Sequence, residues 1–452
     1  MKNSLSFLVG FLLGFLVFNE AYSSISCGIF TFLLYRIIFE SNQQFVFREW
    51  ALMLYCINYL LSPTITYYQP DGIVRYGMKI PLDEYFNLAL PGFLLFALGI
   101  YSIRTKIFKV DYSYIDKSTL VNKKFLIRVV IFGLAMRIFS PMFPEEISYF
   151  IYLISMVRFV AAFALLSLSR RLWYYSITVL LFEIYNAFVS GMYHDAVMWI
   201  IFFSIFYVYT IKPKIRIKLM GVFGLVFFVL LIQAVKVSYR EVAWQDKAKQ
   251  NLETAGSITA EKANSTEIME DNNLLTTLNR SNQAWIFAST VDNMNRANNF
   301  QGMTIVNKYL ESALLPRFLA PNKLTSGNKE IFNEFSGHTI NEGTSMGLGI
   351  FADGYIAYGA LGVYIFGFIL GLIFALTFKL VERWTKVSPF YVLLLLPLLN
   401  YAVRPDCELQ TTINHLFKGI LLFGFLVYLT RKRFTLDSAE NQRKLNHLNL
   451  MK

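Results

Sequence analysis

A chain of 452 residues that is 55% hydrophobic and only 16% charged cannot hide its apolar side chains in water-soluble cores, for which about 45–50% apolar and about 25% charged is usual. That balance, with 43 Phe, 27 Tyr and 6 Trp and a mean hydropathy of +0.45, excludes a soluble enzyme, a disordered chain and a disulfide-built secreted scaffold, and leaves a polytopic membrane protein. The net charge of +12 reads as loop topology rather than nucleic-acid binding, because Lys and Arg of membrane proteins collect in cytoplasmic connectors.

In chain order, Lys2 precedes an apolar run from Leu5 to Phe18 that resembles a signal peptide. No small-x-small cleavage site follows it, so it reads as a retained first span. Spans of roughly 20 mostly apolar residues are then expected near 4–18, 25–39, 47–62, 86–103, 125–141, 147–168, 172–190, 195–211, 218–236, 349–379, 388–403 and 412–430. Several of these cores are short and need interfacial flanks. The expected fold is an all-α transmembrane bundle of about 12 spans.

The connectors orient it. Arg104, Lys106, Lys109, Lys117, Lys123 and Lys124 crowd 104–124; Arg170 and Arg171 follow the sixth span. Lys212, Lys214, Arg216 and Lys218 precede the ninth, and Arg431, Lys432 and Arg433 end the last. They alternate with poorly basic connectors at 19–24, 143–146 and 191–195. Basic loops stay cytoplasmic, which puts both termini inside and sends one long segment outside. The expected organisation is 1–236 with nine spans, 237–348 as a large extracytoplasmic loop, 349–430 with three spans, and a cytoplasmic tail at 431–452. Within 237–345 ten Lys/Arg meet twelve Asp/Glu, so the positive excess lies elsewhere. The stretch 281–316 has helix-like apolar spacing through Trp285, Ile305, Tyr309 and Leu314, and 316–349 is turn-rich. A connection of this length inside a bundle is usually functional.

Cys27, Cys56 and Cys407 show neither pairing nor ligand spacing. With four histidines, two of them (His415 and His447) near the C-terminus, no metal and no cofactor is expected. Ionisable residues inside spans are costly and mark cavities or partners. On the assigned topology Arg137 and Glu183 fall in outer halves, Arg158 near mid-membrane, and Arg404, Asp406 and Glu408 in the outer turn between the last two spans. Arg137, Arg158 and Glu183 read either as structural ion pairs or as ligands of an anionic head group, which guanidinium matches bidentately. His194 and Asp195 share a short outer turn, and His338 lies in the long loop ahead of Glu342 and Asp353.

The most informative stretch runs Gln301–Gly302–Met303–Thr304, then Leu315–Pro316–Arg317, Pro321–Asn322–Lys323 and Thr344–Ser345. It continues as Phe351–Ala352–Asp353–Gly354–Tyr355 and Tyr358–Gly359–Ala360–Leu361–Gly362 into an apolar span. Over about 70 residues this resembles the O-antigen polymerase (Wzy-type) family, the oligosaccharide repeat-unit polymerases. Thr304, Leu324 and Asp353 depart from the aromatic, proline and glutamate commoner there. Gly359, Gly362, Gly367 and Gly371 read as close helix packing.

The resemblance implies glycosyl transfer that joins polyprenyl-diphosphate-linked repeat units into a surface polysaccharide, in a bacterial inner membrane. Partners would be that lipid-linked glycan, the bilayer, a chain-length regulator and a flippase. Arg317 and Lys323 would hold the departing diphosphate, with Arg137, Arg158, Glu183, Arg280 and Arg404 in the substrate set, and His338 or Asp353 would accept the acceptor's proton. A ligase-like transferase and a transporter of lipid-linked glycans are the alternatives. Transporters often carry internal repeats, and none is evident in the sequence.

Overall fold

The computed structural model describes residues 2–69, 77–109, 112–168, 172–190, 194–243, 252–264, 282–315, 319–320, 323–325, 327–340 and 346–435. The order is α1 (Lys2–Phe18), α2 (Ala21–Glu40), α3 (Phe47–Cys56), α4 (Ser62–Tyr67), α5 (Leu82–Tyr101), α6 (Tyr112–Val121), α7 (Lys123–Phe139), α8 (Glu145–Ser155), α9 (Val157–Leu168) and α10 (Trp173–Ser190). It continues with α11 (His194–Ile211), α12 (Ile215–Ala243), α13 (Leu252–Asn264), α14 (Ala284–Ala297), α15 (Gly302–Leu314), α16 (Lys329–Ser336), α17 (Ile350–Thr385), α18 (Leu395–Leu399) and α19 (Leu409–Phe434). Among the described residues there is no strand.

Among the described residues, seven stretches are long and apolar enough to cross a membrane: α2, α5, Ile147–Leu166 across α8 and α9, α11, Ile215–Ile232 of α12, α17 and α19. Asn3–Phe18 and Pro389–Leu399 are shorter apolar helices. A helix satisfies its own backbone polar groups, which is the condition for lying in lipid.

Two of the expected spans, 47–62 and 388–403, change helical geometry close to a proline. Between α3 and α4 the helix loosens into a π turn at Ile57–Leu61. Pro63 has no N–H for the carbonyl of Tyr59, and the Tyr85 hydroxyl donates to that carbonyl instead, at 2.8 Å. The 388–403 region is a 3-10 turn at Pro389–Leu394 followed by short α18. There the His415 Nε2 lies 2.7 Å from the Pro397 carbonyl, with the Tyr149 hydroxyl on its other nitrogen.

α17 is interrupted at Tyr358 and Gly359, whose φ/ψ of 59°/−143° no L side chain adopts readily. The backbones of Gly354 and Gly362 consequently touch: a Cβ on Gly354 would lie 2.5 Å from the Gly362 carbonyl oxygen. Residues eight apart in an unbroken helix are about 12 Å apart. Gly359 is therefore a backbone turn, which corrects the close-packing expectation for that residue. The expectation suits Gly367 and Gly371, where a Cβ would come within 2.4 Å of the Gly92 carbonyl oxygen and 2.2 Å of that of Phe96 on α5.

Contacts sort the connectors to two ends. At one end Phe45 meets Phe108, Lys218 meets Ser41, Thr105 meets Glu382, and Asn122 and Ser388 meet the end of α19 at Arg433 and Phe434. At the other, Tyr59 meets Pro405, Asp195 meets Arg404, Glu84 meets Asn295 and Gly327 meets Glu408. α14, α15 and α16 belong to this second end. α14 and α15 both pack on α17, and α15 also on α19. α16 starts on an Asn328 side-chain cap and stops at Gly337 with φ of 69°, and Asn293 of α14 binds its last carbonyls.

Candidate functional site

The second end is built around Asp353 and Glu408. The segment 346–349 leads into α17 with Gly349 at φ of 83°, threaded between the 404–408 turn and α14. A Cβ on Gly347 would sit 2.0 Å from the Asp406 carbonyl oxygen. The Gln283 amide donates to the Gly347 and Leu348 carbonyls at 2.9 and 3.0 Å, and the Tyr59 hydroxyl to that of Pro405 at 3.0 Å. The threading leaves Asp353 fully buried beside the start of α19, where its Oδ2 accepts the Leu409 N–H at 2.7 Å.

Glu408, the residue that caps α19, accepts the Gly327 N–H on Oε2 at 3.3 Å. The second oxygen of each carboxyl, Asp353 Oδ1 and Glu408 Oε1, is buried without a hydrogen-bond partner, as is the Tyr309 hydroxyl of α15. That hydroxyl is directed at Asp353 without reaching hydrogen-bond geometry. Burial, and then the neighbouring Asp353 charge, push the Glu408 carboxyl well above the usual glutamate range. Burial likewise raises the Tyr309 phenol. Two carboxyl groups that feel each other's charge out of water cannot both ionise cheaply, which is why the Asp353 charge adds to burial in raising Glu408.

Lys323 is tied to the same neighbourhood. Its ammonium donates to the Leu315 carbonyl at 2.7 Å, Leu324 N donates to Ser312 Oγ at 2.9 Å, and Gln410 of α19 donates to the Leu324 carbonyl at 2.9 Å. Lys418, lower on α19, packs over the Tyr149 and Phe150 rings at 4.7 and 5.6 Å and feels the charge of Lys323. In the sequence one lysine barely alters the apolar window 412–430, and the position of Lys418 inside that expected span is its only signal.

Among the other sequence candidates Arg404 belongs to the same 404–408 turn, while Arg158, Arg137 and His338 have partners of their own. Arg404 is held by Asp195 at 3.1 Å and Asp406 at 3.6 Å and stacks over Tyr401. Burial would raise the Asp406 carboxyl, but Arg404, with His194, brings it below the usual range. Arg158 is 1% exposed, ion-paired with Glu183 and bonded to the Ser155 carbonyl and hydroxyl at 2.6 and 2.7 Å. Arg137 reaches Ser140 Oγ at 3.3 Å and lies over Tyr152. His338 Nε2 is 3.0 Å from Ser289 Oγ and edge-on to Trp285; burial and Lys79 lower its imidazole. These contacts join His338 to α14. Arg317 and Arg280 lie outside the described residues. Among the described residues no group of three or more His, Cys, Asp or Glu is arranged to hold a metal ion.

The two ends of the 301–362 stretch meet. The α17 break leaves the Ile356 carbonyl without its helical partner, and the Gln301 N–H binds it at 2.9 Å. Phe300 packs on Gly359, and the Tyr355 hydroxyl donates to Asn295 Oδ1 at 2.6 Å.

Residues 84–386 match a family described as Domain of unknown function (DUF8712). The match runs from the first turn of α5 to just past the end of α17, so it includes α14, α15, α16 and Asp353 and stops short of Glu408. No curated protein and no solved structure matches the chain.

Proposed function

The chain belongs to the DUF8712 family, and we propose that it transfers a growing glycan from a polyprenyl diphosphate onto a sugar hydroxyl of a second lipid-linked repeat unit, lengthening a surface polysaccharide. The proposal takes the chain as a bundle of about 12 spans in a bacterial inner membrane, with both termini cytoplasmic and the 237–348 loop outside. The separation of the basic connectors from the loop helices supports that orientation.

The observation that carries the reading is the desolvated Asp353–Glu408 pair facing the Tyr309 hydroxyl beneath the loop helices, next to the segment that anchors Lys323. In the proposed step the acceptor hydroxyl gives its proton to the carboxylate of the pair as its oxygen bonds to the anomeric carbon. The bond from that carbon to the diphosphate breaks, and the diphosphate leaves with the electron pair. A positioned base is worth about 10²–10⁴-fold. Cations aimed at the leaving group, Arg317, Lys323 and Lys418 in this reading, stabilise the charge that develops there. His338, on its own element with Ser289, is the other proton acceptor the resemblance offers. The carboxylates already on Arg158 and Arg404 favour structural roles for those two arginines over phosphate binding, because a neutralised guanidinium attracts an anion less.

The test is reconstitution of the purified protein with lipid-linked repeat units. A glycan ladder is expected from the wild type and none from Glu408→Gln or Lys323→Ala. Intact wild type that yields no ladder overturns the reading. In cells lacking the protein, single repeat units on the surface indicate a polymerase, complete chains stranded on the carrier a ligase, and intermediates trapped on the cytoplasmic face a transporter.

A further inference from the structure

The basic end of the bundle holds a second feature. A cavity of about 850 Å³ lies between the first half of α12 and the helices α2, α10 and α11, a size within the ~300–1,000 Å³ of pockets that take in a whole small ligand. Its walls are apolar, among them Ile38, Trp173, Phe203 and Leu225. α12 is the least embedded of the long apolar helices: 11% of its Ile215–Ile232 window is buried. A Cβ added at Gly221, which lines the cavity, would meet nothing within 4 Å.

Lys218 stands at the wall of this cavity, buried, donating to the Ile38 carbonyl at 2.7 Å and the Ser41 hydroxyl at 2.9 Å. An ammonium has three protons to donate, so one remains beyond these two bonds. Exposed Lys212, Lys214 and Arg216 carry the positive charge outward from it. The nearest acidic residue along α2, Glu40, is already engaged by Arg36, Gln44 and Asn3. An apolar recess beside the least embedded of the long apolar helices, with a buried cation at its wall and exposed cations beyond it, combines the two halves of a phospholipid site: apolar walls for hydrocarbon and cations for phosphate.

We infer that this cavity binds an anionic phospholipid of the leaflet at the basic end, with its acyl chains between α12 and the bundle and its phosphate on Lys218 and the 212–216 cations. The lipid supplies the packing that α12 lacks from protein. Nothing in the inference depends on the glycosyl-transfer reading, and its readout is binding and stability rather than a glycan ladder.

The experiment measures thermal unfolding of the delipidated full chain in detergent with phosphatidylglycerol, phosphatidylcholine of the same acyl chains, or glycerol phosphate. Retained lipid is weighed in parallel by native mass spectrometry. Phosphatidylglycerol is expected to raise the midpoint by several degrees, phosphatidylcholine by clearly less, and glycerol phosphate not at all. Lys218→Met should bring the first down to the second. Gly221→Leu, which keeps Lys218 and fills the recess, should lose the bound lipid and both shifts. Gly224→Leu, also in open space but absent from the lining, should behave as wild type. Equal shifts from the two lipids in the wild type overturn the inference, as does full phosphatidylglycerol retention by Gly221→Leu. A full shift from glycerol phosphate, or stronger retention of a polyprenyl phosphate than of phosphatidylglycerol, overturns the phospholipid assignment.

Discussion

The Asp353 carboxylate accepts the backbone N–H of Leu409 at 2.7 Å, so a side chain from α17 holds the first residue of α19. Three forces meet there: a buried N–H that needs an acceptor, the positive end of the α19 dipole, and a carboxyl without water. Asp353→Ala removes the acceptor and is expected to cost about 1–3 kcal/mol, because a buried donor is left without a partner. Asp353→Asn keeps an oxygen for Leu409 while giving up the ability to take a proton. It should unfold within about 1 kcal/mol of wild type and lose glycan-forming activity by about 10²–10⁴-fold. Denaturant unfolding in detergent, paired with the ladder assay, separates the two effects. Wild-type activity in Asp353→Asn would reduce Asp353 to a cap.

Glu408 gives the pair a pH signature. Burial and Asp353 raise its carboxyl, so between the unfolded value of about 4.3 and the raised folded value, the folded chain binds more protons than the unfolded one. Stability therefore falls as pH rises through that window. Glu408→Gln removes the proton from the balance. Its midpoint should vary less with pH than the wild type's and lie above it on the alkaline side. Thermal unfolding of both proteins from about pH 5 to pH 9 checks the sign, and parallel profiles would show that Glu408 carries no raised carboxyl.

The apolar segments were legible because composition alone sets them, and lipid leaves helix as the only local option for such runs. Their breaks were less so. Pro63 and Gly359 are visible in the sequence, but what each does depends on a distant donor: the Tyr85 hydroxyl on the Tyr59 carbonyl, and the Gln301 N–H on that of Ile356. The site divides in the same way. Asp353 stood out as an acid at the entry to an apolar run, and Glu408 as one member of a charged turn. That they come together follows from the threading of 346–349 against 404–408, a tertiary event with no local signature. Tyr309 read as an apolar position on a helix face, where its ring belongs; its hydroxyl gains meaning only once Asp353 is opposite.

Arg158 and Glu183 form a buried ion pair with side chains 1% and 7% exposed. Removing one member leaves the other charged or forces it neutral in a dry setting, at a cost of about 3–5 kcal/mol. Arg158→Met and Glu183→Leu should each be strongly destabilised. The double variant should recover most of the loss, since apolar replacements of a buried pair are often neutral. A double variant that regains both stability and ladder formation marks the pair as structural. One that regains stability alone gives Arg158 or Glu183 a part in the chemistry.

The α17 turn is the most exacting backbone feature of this end. Gly359 sits at φ of 59° and ψ of −143°, a region in which a Cβ costs about 1–3 kcal/mol, and it sets both the Gly354–Gly362 contact and the free Ile356 carbonyl that holds Gln301. Gly359→Ala is expected to be destabilised by that amount and, beyond it, to release the start of α15 from α17. Gly354→Ala should fare no better, because its new Cβ would meet the Gly362 carbonyl oxygen at 2.5 Å. Gly424→Ala on α19, with its nearest neighbour at 3.6 Å, should be neutral or stabilising by up to about 1 kcal/mol, as alanine is the better helix former. Unfolding midpoints rank the three, and hydrogen exchange at Gln301 reports the release directly. If Gln301 stays protected in a folded Gly359→Ala protein, the turn at residue 359 is not what docks the loop onto α17.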